Sequence, residues 1–104
     1  MFELTLAAGK QIKQSALEGG MEELVLRIAA QRMADGAIDY RMGFDEIGTD
    51  DLHLVSQEVD IVIASADKPL LNGTSLDYVE LEPGEFHYIF LNPNDPQFRP
   101  PDAG

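Results

Sequence analysis

The side chains of this sequence that could hold a metal are carboxylates and two histidines, because cysteine is absent. Asp35, Asp39, His53 and His87 supply oxygen and nitrogen donors of the kinds that suit iron or zinc. Their spacing fits no local metal motif, and both histidines fall on the polar phase of alternating segments. A hard-ligand metal site is therefore one hypothesis. The simpler one is that both histidines are exposed on strands.

A second group of carboxylates lies in residues 45–51, where four acidic side chains occur within seven positions. The segment lacks the alternating aspartates and the closing glutamate of a calcium-binding loop. We therefore interpret it as a solvated loop.

Motifs for nucleophilic or phosphate chemistry are missing from the sequence. There is no phosphate-binding glycine-rich loop ending in lysine, and the glycines do not form a dinucleotide fingerprint. No serine lies in a nucleophile motif, and two histidines on separate predicted strands do not indicate a catalytic triad. The sequence predicts a protein that is not an enzyme.

A net charge of −12 over 104 residues limits the partners of this single-domain chain. Nucleic acid is bound through lysines and arginines that displace counterions from phosphates, and an anionic membrane surface also attracts basic residues. The charge argues against both. Solubility is its simplest explanation, and the partner it would favour is a basic protein. Residues 1–5 lack the basic and apolar segments of a signal peptide. A cytoplasmic location is therefore expected.

Hydrophobic periodicity predicts one helix followed by about six strands. Thr5 is placed to cap a helix over residues 6–18, and Gly19-Gly20 ends it. The apolar stripe of this helix is predicted to comprise Ala8, Ile12, Ala16 and Leu17. Apolar–polar alternation or short apolar runs predict strands near residues 24–29, 38–44, 52–56, 59–64, 76–81 and 86–90.

This order of elements is typical of a strand-dominated α+β domain. The domain is expected to span residues 1–94. Residues 95–104 are predicted to form an extended or disordered tail, because four of the six prolines lie from position 92 onward without apolar periodicity.

Several short motifs occur in a fixed order along residues 3–94. They are Leu26-Arg27, Tyr40, Phe44-Asp45-Glu46, Asn72-Gly73-Thr74, Leu76-Asp77-Tyr78-Val79 and Asn92-Pro93-Asn94. Their order and spacing resemble the A-type iron–sulfur carrier family, which has the HesB-like domain. The resemblance implies two small mixed β-sheets with an N-terminal helix at one side.

The same resemblance locates cluster ligands that the family uses and this chain lacks. The family has a Gly-Cys-Ser-Gly turn after its Leu-Arg strand and a Cys-Gly-Cys shortly after Asn-Pro-Asn. Counted without gaps from Leu26-Arg27 to Phe44, the first cysteine position is Asp35. Counted onward from Asn94, the other two positions fall at about Arg99 and Pro101. Thiolates hold iron–sulfur clusters, and arginine and proline offer no ligand. The resemblance thus implies the scaffold of a carrier without its three thiolates.

The predicted role is that of a non-catalytic protein linked to iron–sulfur cluster assembly, which binds a partner protein as an adaptor and holds no cofactor. The resemblance also implies a weak homodimer, which the negative charge opposes. Two alternatives stay open. One is a small metal-binding protein that uses carboxylate and histidine ligands, and the other is a structural subunit of a larger complex.

Overall fold

The computed structural model describes residues 2–96. Its elements are β1 (Glu3–Leu4), α1 (Leu6–Glu18), β2 (Val25–Arg32), β3 (Ile38–Asp45), β4 (Asp51–Ser56), β5 (Val59–Ala64), a short 3₁₀ turn (Ser65–Asp67), α2 (Lys68–Leu71), β6 (Ser75–Glu82) and β7 (Glu85–Leu91). The predicted strand-dominated α+β class is confirmed. The sequence did not predict β1 and α2, because elements of two and four residues are too short to show hydrophobic periodicity.

The strands form two mixed sheets, as predicted. The four-stranded sheet has the order β3-β2-β5-β4, and the three-stranded sheet has the order β1-β6-β7. In the larger sheet β2 runs parallel to β5 and antiparallel to β3. In the smaller sheet β1 runs parallel to β6, while β6 and β7 form an antiparallel hairpin.

Helix α1 begins and ends where its capping residues predict. The Thr5 hydroxyl accepts a hydrogen bond from the Ala8 amide at 3.2 Å and donates one to Asp77 Oδ1 at 2.7 Å, which ties the start of the helix to β6. After the helix, Gly20 adopts a left-handed backbone with φ +67°. The predicted stripe is too wide, because Leu17 is 58% exposed. Only the first half of α1 packs deeply on the sheets.

The core contains apolar residues from both sheets and from both helices. Its buried members are Phe2, Leu4, Ala8, Ile12, Leu26, Ile28, Ala30, Ile38, Val59, Ile61, Ile63, Leu71 and Leu76. The inner face of β3 adds Tyr40, Met42 and Phe44, which pack against this cluster while partly exposed. The predicted core face of β3 is therefore right, although only Ile38 on that face is fully buried.

The turn between β4 and β5 packs closely against α1. Gln57 and Glu58 have φ of +50° and +64°, the left-handed backbone that tight two-residue hairpins of the primed type need. Gly9 lies against this turn, so that a Cβ added to it would be 2.6 Å from Gln57 Cβ. Glycine at position 9 therefore permits the close approach of helix and hairpin.

Gly9→Ala is expected to destabilise the fold by about 1–3 kcal/mol, the range for overpacking, although alanine favours a helix over glycine by about 1 kcal/mol. Urea denaturation measures the difference. The double variant Gly9→Ala/Gln57→Gly is the control, because it removes the clashing atom and suits the positive φ of position 57. A stabilising effect of Gly9→Ala alone would show that α1 and the hairpin are farther apart than described.

Candidate functional site

The turn between β2 and β3 is the place where the resemblance puts the first cluster ligand. The Met33 amide donates to Ala37 O at 2.7 Å, and the Gly36 amide donates to Met33 O at 3.0 Å. Gly36 has φ +90°, a backbone that favours glycine. These bonds produce a tight hairpin tip at the predicted position.

Asp35 lies at this tip with its side chain engaged in the turn. Its Oδ1 accepts a hydrogen bond from the Ala37 amide at 3.0 Å, the local bond by which aspartate stabilises turns. Arg32 Nη1 donates to Gly36 O at 2.7 Å, which places a positive charge in the same turn. The tip therefore offers one exposed carboxylate beside a guanidinium, an arrangement that is unfavourable for a cation.

The segment that follows β7 is held by side-chain amides. Asn92 is fully buried, and its Nδ2 donates to Leu70 O at 2.7 Å and to the Tyr40 hydroxyl at 3.1 Å. Asn94 Nδ2 donates to Asn72 O at 2.8 Å. The segment is thus fixed against the end of α2 and against β3.

Tyr40 joins this segment to the hairpin of β2 and β3. Its hydroxyl donates to Asp95 Oδ2 at 2.8 Å, and its ring stacks on Phe90 with centroids 4.2 Å apart. Burial, followed by the bond to the Asp95 carboxylate, raises the pKa of Tyr40 to about 12. The phenol therefore stays protonated at neutral pH and fixes Asp95 next to β3.

Two of the three predicted ligand positions, Arg99 and Pro101, lie outside the described residues, as do most residues of the predicted 95–104 tail. Of that tail, Asp95 and Pro96 are described, and Asp95 belongs to the Tyr40 network. The domain boundary at residue 94 stays a prediction.

The four residues of the hard-ligand hypothesis are not brought together. Asp39 lies 3.6 Å from Arg41 on β3, and His53 Nε2 lies 2.9 Å from Asp60 Oδ1 on the neighbouring strand. His87 is exposed on β7 in the other sheet. Within residues 2–96 no three histidine, aspartate or glutamate side chains are grouped as a metal site.

An iron–sulfur cluster does not fit the donors present in this chain. The full sequence contains no thiolate, and soft sulfur is what holds such clusters in proteins. At the hairpin tip the only donor of the ligand position is the Asp35 carboxylate, which already accepts a backbone hydrogen bond. The hairpin tip at which the resemblance places the first ligand is present, and it offers no thiolate.

The acidic segment at residues 45–51 is more ordered than the sequence suggested. Arg27 Nε donates to Asp45 Oδ2 at 2.7 Å, and Arg27 Nη1 donates to Asp51 Oδ1 at 2.8 Å. Asp51 Oδ2 also accepts from the Gly48 amide at 2.6 Å. The interpretation as a solvated loop was therefore wrong at Asp51, whose side chain is 6% exposed, whereas Asp45 is 54% exposed. The pairing depends on the register of β2 against β3, where Arg27 lies opposite Gly43, and on the register of β2 against β5, which lies beside β4.

The hydrogen bonds from Arg27 lower the pKa of Asp51 to about 2 and also lower the pKa of Asp45. Because the folded-state pKa lies below the value of about 4 in an unfolded chain, ionised Asp51 stabilises the fold above that pH, and the contribution is lost as pH falls toward 2.

Asp51→Asn is expected to lower the urea midpoint at neutral pH, by an amount that shrinks as pH falls from about 4 to about 2. Urea titrations at several pH values measure the two curves. A difference between the chains that stays constant across this pH range would contradict the Arg27–Asp51 pairing.

Comparisons with known proteins give consistent matches at about the length of this chain. No family model matches the sequence. A protein of Cupriavidus taiwanensis named putative iron–sulfur cluster insertion protein ErpA is 33% identical over 94 residues, which cover 89% of this chain and 76% of that protein. An IscA structure described as containing a 2Fe–2S cluster has a TM-score of 0.70 and 31% identity, covering 89% of this chain and 83% of that one.

The structure of Escherichia coli SufA, described as involved in iron–sulfur cluster biosynthesis, has a TM-score of 0.72 at 22% identity. It covers 88% of this chain and 80% of that one, and it shows the shared fold. As a separate finding, no helix within residues 2–96 is long and apolar enough to cross a membrane.

Proposed function

Because the chain belongs to the A-type, HesB-like family of iron–sulfur cluster assembly proteins, we propose that it acts in cluster assembly as a non-catalytic adaptor. In this role it binds a partner protein and holds no cluster of its own. The observation that carries the proposal is the contrast at the hairpin tip. The fold of the family is complete around Asp35, while the chain has no thiolate to place there or elsewhere.

The support for a binding role comes from the order of the segment after β7. The Tyr40, Asn92 and Asp95 network still fixes the segment after β7 beside β3. Hydrogen bonds of buried polar groups specify one arrangement of the chain, because leaving them unmade is unfavourable. A scaffold ordered in this way presents a defined surface without holding a cluster, which is what an adaptor requires.

The alternative of a carboxylate–histidine metal protein gains no support from the described residues, because its four candidate ligands are dispersed. We also propose that the adaptor acts in the cytoplasm. We likewise propose that the protein catalyses no reaction.

A tagged protein recovered from its native cells under anaerobic conditions tests the adaptor role. The expected result is a partner from iron–sulfur cluster assembly, or a protein that receives clusters, that stays bound during a wash with an iron chelator. Chelator resistance follows because the contact involves no metal held by this chain. A partner that is released by the chelator would contradict the proposal.

Self-association is expected to depend on salt. Strands β3, β4, β1 and β7 lie at the sheet edges, and pairing between copies is one way to cover such edges. Repulsion between chains of charge −12 opposes this contact, and salt screens charges beyond about 10 Å at 0.1 M. We expect a monomer–dimer equilibrium that shifts toward dimer as salt rises, measured by sedimentation. A dimer that weakens with salt would indicate an interface held by complementary charges instead.

A further inference from the structure

An apolar groove of about 290 Å³ lies between β4, the residue before β1, and α2. Its apolar lining comprises Phe2, Leu52, Leu54, Ile63 and Leu71. We call it the β4 groove. Three consecutive residues of β4 line it, Leu52, His53 and Leu54. Successive side chains of a strand point to opposite faces. The groove therefore reaches the edge of β4 and is not confined to one face.

Strand β4 is the last strand of its sheet. At its end, Ser56 Oγ accepts a hydrogen bond from the Leu4 amide at 2.9 Å, which joins the two sheets. Toward the start of β4, Leu52 lines the groove together with Phe2, the residue before β1. The free edge and the groove are thus adjacent.

The edge of β4 has little of the usual protection against pairing with another chain, because its one carboxylate, Asp51, is bound by Arg27. Leu52 and Val55 are 37% and 62% exposed, and the strand contains neither proline nor lysine. Natural edge strands commonly carry such residues to prevent strand addition. An apolar, weakly protected edge next to an apolar groove favours an extended segment that pairs with the strand and inserts side chains into the groove.

The charge at the groove indicates the chemistry of that segment. Lys68 lines the groove and makes no side-chain ion pair or hydrogen bond within residues 2–96. The cations Lys13, Arg27 and Arg41 each lie beside a carboxylate of the chain itself. An unpaired ammonium beside an apolar groove favours a ligand with a carboxylate next to its apolar side chain.

We propose that the β4 groove binds an extended segment of the partner protein. One apolar side chain of the segment occupies the groove between Phe2 and Leu71, and an acidic residue of the segment meets Lys68. Main-chain hydrogen bonds to the edge of β4 align the segment, while the groove and the ammonium select its sequence. This inference rests on the proposed adaptor function, for which it supplies the contact surface.

Amide chemical shifts of the isotope-labelled protein test the site directly. The probe is a blocked synthetic peptide, Thr-Val-Thr-Leu-Thr-Val-Asp-Thr, and the control peptide has lysine in place of its aspartate. The shifts are expected to concentrate in residues 51–56 and 68–72, and the lysine peptide is expected to bind roughly fivefold more weakly, as for the loss of one exposed charge pair. Shifts centred on β3 or β7, or no shifts at millimolar peptide, would overturn the proposal.

Two charge reversals complete the test. Lys68→Glu is expected to remove the preference for the acidic peptide, whereas Lys10→Glu, an exposed lysine of α1 outside the groove, is expected to keep it. In the native recovery experiment, Lys68→Glu is expected to lose the partner that Lys10→Glu retains. If both variants retain it through the chelator wash, the groove is the wrong site and the adaptor function stands. If the unmodified protein loses it in the wash, the adaptor function itself is wrong.

Discussion

Replacing Leu76 with alanine is expected to lower the free energy of unfolding by about 2–5 kcal/mol, the range for buried leucine truncations. Leu76 is 0% exposed and lies at the centre of the smaller sheet, opposite Leu4 on β1 and Phe90 on β7. Alanine there leaves a cavity beneath α1 that the surrounding strands cannot fill. This loss is a large part of a typical domain stability of about 5–15 kcal/mol.

Urea denaturation followed by circular dichroism measures this effect. Leu81→Ala on the same strand is the matched control, because Leu81 is 59% exposed and exposed substitutions usually change stability by less than about 0.5 kcal/mol. A loss below about 1 kcal/mol for Leu76→Ala, similar to a surface change, would place the core elsewhere.

The second large effect is a gain of cluster binding. The triple variant Asp35→Cys/Arg99→Cys/Pro101→Cys supplies thiols at the three positions that the family resemblance identifies. We expect it to bind an iron–sulfur cluster weakly and in an oxygen-sensitive form after anaerobic reconstitution, because thiolates are the ligands of such clusters. The measurement is visible absorption together with iron and sulfide analysis.

A variant with the same number of thiols controls for nonspecific iron binding. Asp60→Cys/Arg99→Cys/Pro101→Cys moves the first thiol from the hairpin tip to an exposed position on β5. Its retention of cluster is expected to be far below that of the Asp35 variant. Equal retention of the cluster by the two variants would show that a thiol at the hairpin tip contributes nothing specific to cluster binding.

The elements set by local signals were predicted closely from the sequence. Helix α1 spans Leu6–Glu18 as expected, because a capping hydroxyl at Thr5 and two glycines after the helix act on their immediate neighbours. The strand around Tyr40 was predicted from its alternation, which also assigned the correct face to the core. Periodicity did not show that Phe44 is only partly buried, because that depends on which elements cover the end of β3.

The long-range side-chain contacts around the site could not be predicted from the sequence. Arg27 pairs with Asp51, and Tyr40 with Asp95, across 24 and 55 positions of the chain. Such bonds depend on strand register and on the meeting of two sheets, which no local pattern encodes. The position of Asp35 was predictable, since the hairpin turn around it carries its own glycine signal.

Anaerobic reconstitution of the unmodified chain with iron and sulfide tests whether this scaffold can hold a cluster. After desalting, we expect a colourless protein without bound iron and sulfide, because the sequence has no cysteine and the Asp35 carboxylate at the hairpin tip accepts a hydrogen bond within its own turn. A stoichiometric visible chromophore that survives desalting would show that this scaffold holds a cluster with ligands other than thiolates, and the proposed role without a cluster would be wrong.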